Sequence, residues 1–162
     1  MIKLKPFIGL AVLCLVARPV LANDQARLAG AWTLLSYEVE QQSTGAREPV
    51  LGQHPTGSII FTPEGRMMVV LTAEGRKPPT SDEDRAELLK TMVAYTGLYR
   101  LEGQKWVTTV DVSANPAWVG GEQTRFFKFT GDRLQESTGW MAWAGHPDKG
   151  AVRFILNWEC AQ

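Results

Sequence analysis

From residue 57 to residue 159 the sequence is a succession of strand-length runs separated by short turn-forming breaks, and this constrains the fold more than any other feature. Residues 57–62 and 66–72 are rich in β-branched and apolar side chains and are joined by Pro63-Glu64-Gly65. In such a turn proline supplies a fixed φ and glycine a positive one. Further runs follow at 95–102, 105–113, 123–130, 133–139 and 151–159. Their breaks carry Gly103, Asn115, Gly131-Asp132 and Gly145 to Gly150. Ahead of them, residues 28–40 set Leu34, Ser36 and Glu38 against Leu35, Tyr37 and Val39, as in a long strand half-buried on both faces. One helix interrupts the series. Ser81 caps a first turn holding Asp82, Glu83 and Asp84, and apolar residues continue through Leu88, Leu89 and Met92 to about residue 94. The count predicts an all-β domain of eight antiparallel strands in up-and-down order with one short helix around residues 81–94. Strands without helices to cover their edges bury those edges by closing into a barrel, and eight strands enclose room for one small ligand.

The amino-terminal residues read differently. Lys3 and Lys5, an apolar run over residues 7–17 and the exit Val20-Leu21-Ala22 have the three-part layout of a secretory signal, so residues 1–22 are expected to be a leader cleaved after Ala22. The expected location is periplasmic or secreted. The apolar run falls short of the roughly 20 residues that span a bilayer, and no membrane span is predicted. Residues 23–162 then form the single domain. Without Lys3, Lys5 and Arg18, 14 of the 17 basic residues face all 17 acidic ones, a net charge of −3. Nucleic acids and anionic membranes select clustered cations, so no nucleic-acid partner is expected. Cys160 is the one cysteine outside the leader, which excludes an internal disulfide.

The tripeptide Gly30-Ala31-Trp32 resembles the opening of the first barrel strand in lipocalins. It lies within LAGAWTLLSYEVE (28–40), followed by LGQHPTGSIIFTPEGRMMVVL (51–71), AYTGLYRL (94–101), SANPAWVGGEQTRFFKFTGDRL (113–134) and ILNWE (155–159). This longer pattern is similar to the lipocalin-like domain family of bacterial and fungal proteins. The resemblance implies a barrel plugged at one end by Trp32, with a cavity for a small apolar molecule. It also implies a last-strand arginine lying over that tryptophan, for which Arg153 is the candidate. Two departures stand out: Thr108-Thr109 occupies a place where relatives often carry histidine, and Cys160 one where they often carry arginine.

Chemistry-bearing residues are sparse. His54 and His146 fall on separate loops, with no Cys-x-x-Cys or His-x-x-x-His, so neither a metal site nor a cofactor is predicted. No nucleophile elbow or phosphate-binding glycine loop is present. Polar residues embedded in apolar strands remain: Glu38, Tyr99, Arg100, Asp111, Arg125 and Glu136. Arg125 shares a strand face with Phe127 and Phe129, so alternation turns it into the barrel. A buried arginine needs a carboxylate, a tyrosine or a ligand anion, and Asp111 and Tyr99 are the proposed partners. Trp118, in the Asn115–Gly120 connection, is expected to border the open end, with Trp140 and Trp143 in a second connection. The candidate ligand-binding residues are therefore Tyr99, Asp111, Trp118, Arg125 and Phe127. The main reading is an exported protein binding a small hydrophobic or amphipathic molecule. The alternatives are a cofactor-free isomerase or cyclase using Tyr99, Asp111 and Arg125, and an interaction protein whose barrel is filled by its own side chains.

Overall fold

A computed structural model describes residues 19–161. Residues 1–18 of the expected leader lie outside it, and the leader's end at Ala22 falls within the first helix, α1 (Pro19–Leu28). Ten strands follow: β1 (Gly30–Gln41), β2 (Arg47–Pro49), β3 (Thr56–Phe61), β4 (Arg66–Thr72), β5 (Met92–Leu101), β6 (Lys105–Ser113), β7 (Glu122–Thr130), β8 (Arg133–Ser137), β9 (Met141–Ala142) and β10 (Ala151–Cys160). Each neighbour in the order β1-β3-β4-β5-β6-β7-β8-β10 is antiparallel, and β10 returns to pair with β1. That ring is a closed eight-stranded barrel, with the eight main strands where the sequence places them. The short strands β2 and β9 are additions, pairing with β1 and β10 at the barrel's edge.

The helix of the 81–94 region, α2 (Asp82–Lys90), is shorter than its sequence pattern. Its capping box closes as expected, Ser81 accepting from the Asp84 backbone while the Asp84 carboxylate accepts from the Ser81 backbone N–H. At the other end the Thr91 N–H turns back to the Leu88 carbonyl. Met92, Val93 and Ala94 leave the helix because they pair with Thr72, Leu71 and Val70 of β4. Sheet hydrogen bonds outweigh a weak local helix preference here. A second correction is α1 itself, which the sequence reading did not contain; it ends at Leu28, where a strand was expected to begin.

The barrel is packed unevenly. Leu28 and Trp32 are buried at the α1 end, and a chain of ring contacts climbs from there: Trp32–Phe129 at 6.0 Å, Phe129–Phe127 at 5.8 Å, Phe127–Trp106 at 5.6 Å, Trp106–Phe61 at 5.0 Å and Phe61–Tyr99 at 5.2 Å. Aromatic pairs at such spacings gain beyond their buried area. Arg153 does not reach Trp32. Trp32 pairs in register with Cys160, while Arg153 sits seven residues back along β10, roughly 23 Å away at strand rise. It instead lies over Trp140 at 4.7 Å and bonds Glu40. The cation at the closed end is Arg27 of α1, 3.9 Å over the Phe129 ring.

One backbone contact is unusually close. Pairing between β5 and β6 shifts at Thr96/Gly97, where β6 accommodates an extra residue, Asp111. Gly97 there lies so near the Thr109 carbonyl that an added methyl overlaps it. Gly97→Ala is expected to destabilise the barrel by about 1–3 kcal/mol through overpacking against backbone. Urea denaturation measures it, and a change within about 0.5 kcal/mol, ordinary for a tolerated surface site, counts against the close approach.

Candidate functional site

Opposite the α1 end the packing gives way to a cavity of about 1000 Å³. The structure therefore rules against a barrel filled throughout by its own side chains. The walls are largely apolar, with Val69, Leu71, Phe154 and Leu156 on strands and Trp118, Trp140 and Trp143 on connections. Trp118 lies in a 3₁₀ turn, Pro116–Trp118, capped by the Asn115 side chain accepting from the Ala117 N–H at 3.1 Å. Its ring meets Tyr95 edge-on at 5.7 Å. Trp143 stacks on His146 at 3.9 Å and meets Phe154 edge-on. Ala86, Leu89 and Lys90 of α2 border the same space.

Four titratable side chains on strands, Arg125, Glu136, Tyr37 and Tyr95, line this apolar volume, and each is placed by strand geometry. On β7, Arg125, Phe127 and Phe129 share the inward face. The two-residue Gly131-Asp132 turn pairs Thr130 with Arg133, and the same register sets Phe127 opposite Glu136. On β8 the inward positions are Leu134, Glu136 and, just beyond the strand, Thr138. Tyr95 lines the cavity from β5. Tyr37 arrives by a bulge: Trp32 and Leu34 are buried at even positions of β1, the pairing with β10 shifts between Leu34 and Ser36, and the inward set becomes Tyr37 and Val39. The Tyr37 ring leans on Phe154 at 5.7 Å.

Arg125 is half-buried and faces the cavity. Its Nη1 donates to Thr124 O at 2.9 Å and to Gln123 Oε1 at 3.3 Å, and its Nη2 to Gln123 Oε1 at 3.3 Å. All of these acceptors are neutral. Burial opposes its charge, but Tyr95, Glu136 and Tyr37 around it favour the cation, and the net effect holds the guanidinium above its ordinary value. Glu136 is 4% exposed and forms no ion pair among the described residues; its Oε2 has no hydrogen-bond partner. Burial pushes its carboxyl up to about 7, only partly offset by Arg125. Burial likewise raises the Tyr37 hydroxyl to about 12 and raises that of Tyr95. Around neutral pH the strands thus present the Arg125 cation, two neutral phenols and one carboxyl poised between its two forms, while Lys90 at the border is paired with Glu87.

Of the residues singled out from sequence, Arg125 and Trp118 line the cavity together. Phe127 is buried in the aromatic stack against Trp106 and Phe129. Tyr99 and Asp111 do not join Arg125. Tyr99 lies four residues along β5 from Tyr95, roughly 13 Å at strand rise, in the packed part of the barrel, where its hydroxyl donates to Thr62 O at 3.3 Å. Asp111 is the extra residue at the β6 bulge and points outward, bonded to Arg66 at 2.7 Å. Glu136 is among the embedded polar residues but not among the partners expected for Arg125, although the Gly131-Asp132 turn sets it opposite Phe127, the next inward residue of β7. Of the Thr108-Thr109 pair, Thr108 is buried with its hydroxyl unpartnered and Thr109 is exposed. Among the described residues no cluster of His, Cys, Asp or Glu suits a metal ion, and no helix is long and apolar enough to cross a membrane.

Comparison with known proteins adds a family. A profile described as a lipocalin-like domain matches residues 29–161. A lipocalin-like protein from Bacteroides uniformis is similar to this chain with 16% identity and a TM-score of 0.42, over 80% of this chain and 96% of that one. An uncharacterized protein from Bacteroides eggerthii is similar with 14% identity and a TM-score of 0.41, over 80% and 98%. Among curated proteins none matches the sequence.

Proposed function

The chain belongs to the lipocalin-like domain family, and from that premise we propose that it is an exported protein that holds a small hydrophobic or amphipathic molecule in its barrel cavity. The observation that carries this reading is the contrast within one barrel. One end is filled by interlocking aromatic rings, while the other encloses about 1000 Å³ walled by apolar side chains with Arg125 and Glu136 facing in. Ligand sites are commonly built this way, as apolar concavities with a few convergent polar groups. Export is supported by the basic start, apolar run and small-residue exit of residues 1–22.

One experiment addresses both parts. Native mass spectrometry of the protein recovered from the periplasm of an exporting host is expected to give a chain beginning at Asn23 with a non-covalent adduct that gentle activation removes. A chain retaining Met1 counts against export. A protein that carries no adduct and takes up no apolar fluorescent probe counts against binding.

The arrangement of Glu136 and Arg125 favours a second reading, a cofactor-free isomerase or cyclase. A buried carboxyl that changes protonation near neutral pH, beside a fixed cation, can pass a proton to or from a bound molecule while the cation stabilises the oxyanion that forms. In this reading Glu136, Tyr37 and Tyr95 take the places that the sequence reading gave to Asp111 and Tyr99. Incubation of the adduct in heavy water separates the readings. A binding protein releases its ligand with carbon-bound hydrogens unexchanged; a proton-transfer catalyst releases it carrying deuterium, and Glu136→Gln prevents the exchange.

A further inference from the structure

We propose that the molecule held in the cavity carries one anionic oxygen head, of the carboxylate or enolate kind, on an apolar body, and that its uptake places a proton on Glu136. The inference rests on the cavity-binding reading above and concerns only the chemistry of the head. Arginine has five N–H donors, and three are used by Gln123 and Thr124. Two remain on a cation whose protein partners are all neutral. Glu136 does not neutralise it by contact: no ion pair joins them within 4.0 Å, and Glu136 Oε2 is buried without a partner. The Tyr37 and Tyr95 hydroxyls border the same space as neutral donors. The polar end of the cavity is therefore rich in donors around a positive charge, and an anionic oxygen satisfies it best.

Glu136 decides how this depends on pH. An anion beside Arg125 faces Glu136 at close quarters, and two neighbouring negative charges in an apolar enclosure favour the protonated carboxyl. The groups that face Glu136 are Arg125 on β7, Tyr37 on β1 and Tyr95 on β5, while its β10 neighbour is Leu156. Lys90 borders the cavity from α2, and His146 stands behind Trp143. A protonated Glu136 also becomes a donor, the fourth residue to offer one to the same head.

The test is calorimetric titration of the full chain with decanoate, decanol and decylammonium at about pH 6 and about pH 8, with decanoate ionised at both. Decanoate is expected to bind at least about tenfold more tightly than either other probe at the lower pH, the scale of a hydrogen bond to a charged group. Its affinity should fall about tenfold at the higher pH, as one proton is taken up on binding. Glu136→Gln should hold the lower-pH affinity at both. Arg125→Met should bring decanoate down to the level of decanol, while Arg125→Lys, which keeps a charge, retains part of the preference. Thermal unfolding of each variant verifies the fold, and the Glu136→Gln comparison stands without Arg125→Met. Decanol binding as tightly as decanoate, decylammonium binding tightest, or a decanoate affinity equal at both pH values overturns the proposal and leaves the cavity reading in place. Failure of all three probes to bind overturns both.

Discussion

Trp32→Ala is expected to destabilise the folded chain by about 3–5 kcal/mol, the scale for deleting a large aromatic from a packed interior. Trp32 is only 5% exposed, and its ring begins the aromatic chain through Phe129 and Phe127. Its indole Nε1 donates to the Leu28 carbonyl at 2.9 Å, at the end of α1, where helix carbonyls have no partner within the helix. Truncation opens a void at the closed end and leaves that carbonyl unsatisfied. Trp32→Phe keeps most of the ring and loses the hydrogen bond, so it should cost about 1–2 kcal/mol. Urea denaturation of both variants measures the split. A loss below about 1 kcal/mol for alanine is incompatible with a buried plug at this position.

The second large effect is a stabilisation. Glu136→Gln should make the protein progressively more stable than its parent as pH rises, by about 3 kcal/mol in all between about pH 4 and about pH 8. Burial, offset in part by Arg125, lifts the folded-state value of Glu136 from an ordinary 4.5 to about 7. A folded state that holds its proton more tightly than the unfolded chain gains stability below the unfolded value. That gain is lost as pH climbs through the folded value, where the buried carboxyl must ionise. Glutamine is never asked to ionise. Glu40, Asp84, Glu102, Asp111 and Glu122 are shifted the opposite way by their hydrogen bonds and ion pairs. Each loses stabilisation as pH falls, but they are common to both chains and cancel in the difference. Denaturation midpoints for the two proteins across this range test the claim, and parallel curves would show that Glu136 is not held in an apolar enclosure.

These two residues mark different degrees of legibility. Trp32 is legible through resemblance, because Gly30-Ala31-Trp32 within residues 28–40 is similar to the opening strand of lipocalins, which implies a plug at the barrel's end. Glu136 is half legible: its alternation with Leu134 turns it inward, and the Gly131-Asp132 turn counts it opposite Phe127. What neither pattern supplies is the far side of the barrel. Tyr37 and Tyr95 come to Arg125 from strands distant in sequence, and Tyr37 does so only because β1 bulges between Leu34 and Ser36. Strict alternation from Trp32 and Leu34 turns Tyr37 to the opposite face. The choice of Asp111 failed for a plainer reason: Trp106, Thr108 and Val110 fill the inward face of β6, so alternation itself turns Asp111 outward, where it meets Arg66.

The sequence by itself determined the eight main strands, their turns, the capped start of α2 and the inward face of Arg125, because these follow from side-chain period and turn chemistry over a few neighbouring residues. The tertiary structure alone decided that α1 plugs one end, that Met92 to Ala94 belong to a strand, that the opposite end stays hollow, and which groups meet Arg125 there. Those outcomes depend on closure of β10 onto β1 and, for Tyr37, on the shift of register in β1. A shift of one residue exchanges the inner and outer faces of a strand, and its position is set by partners on other strands rather than by the residues that undergo it.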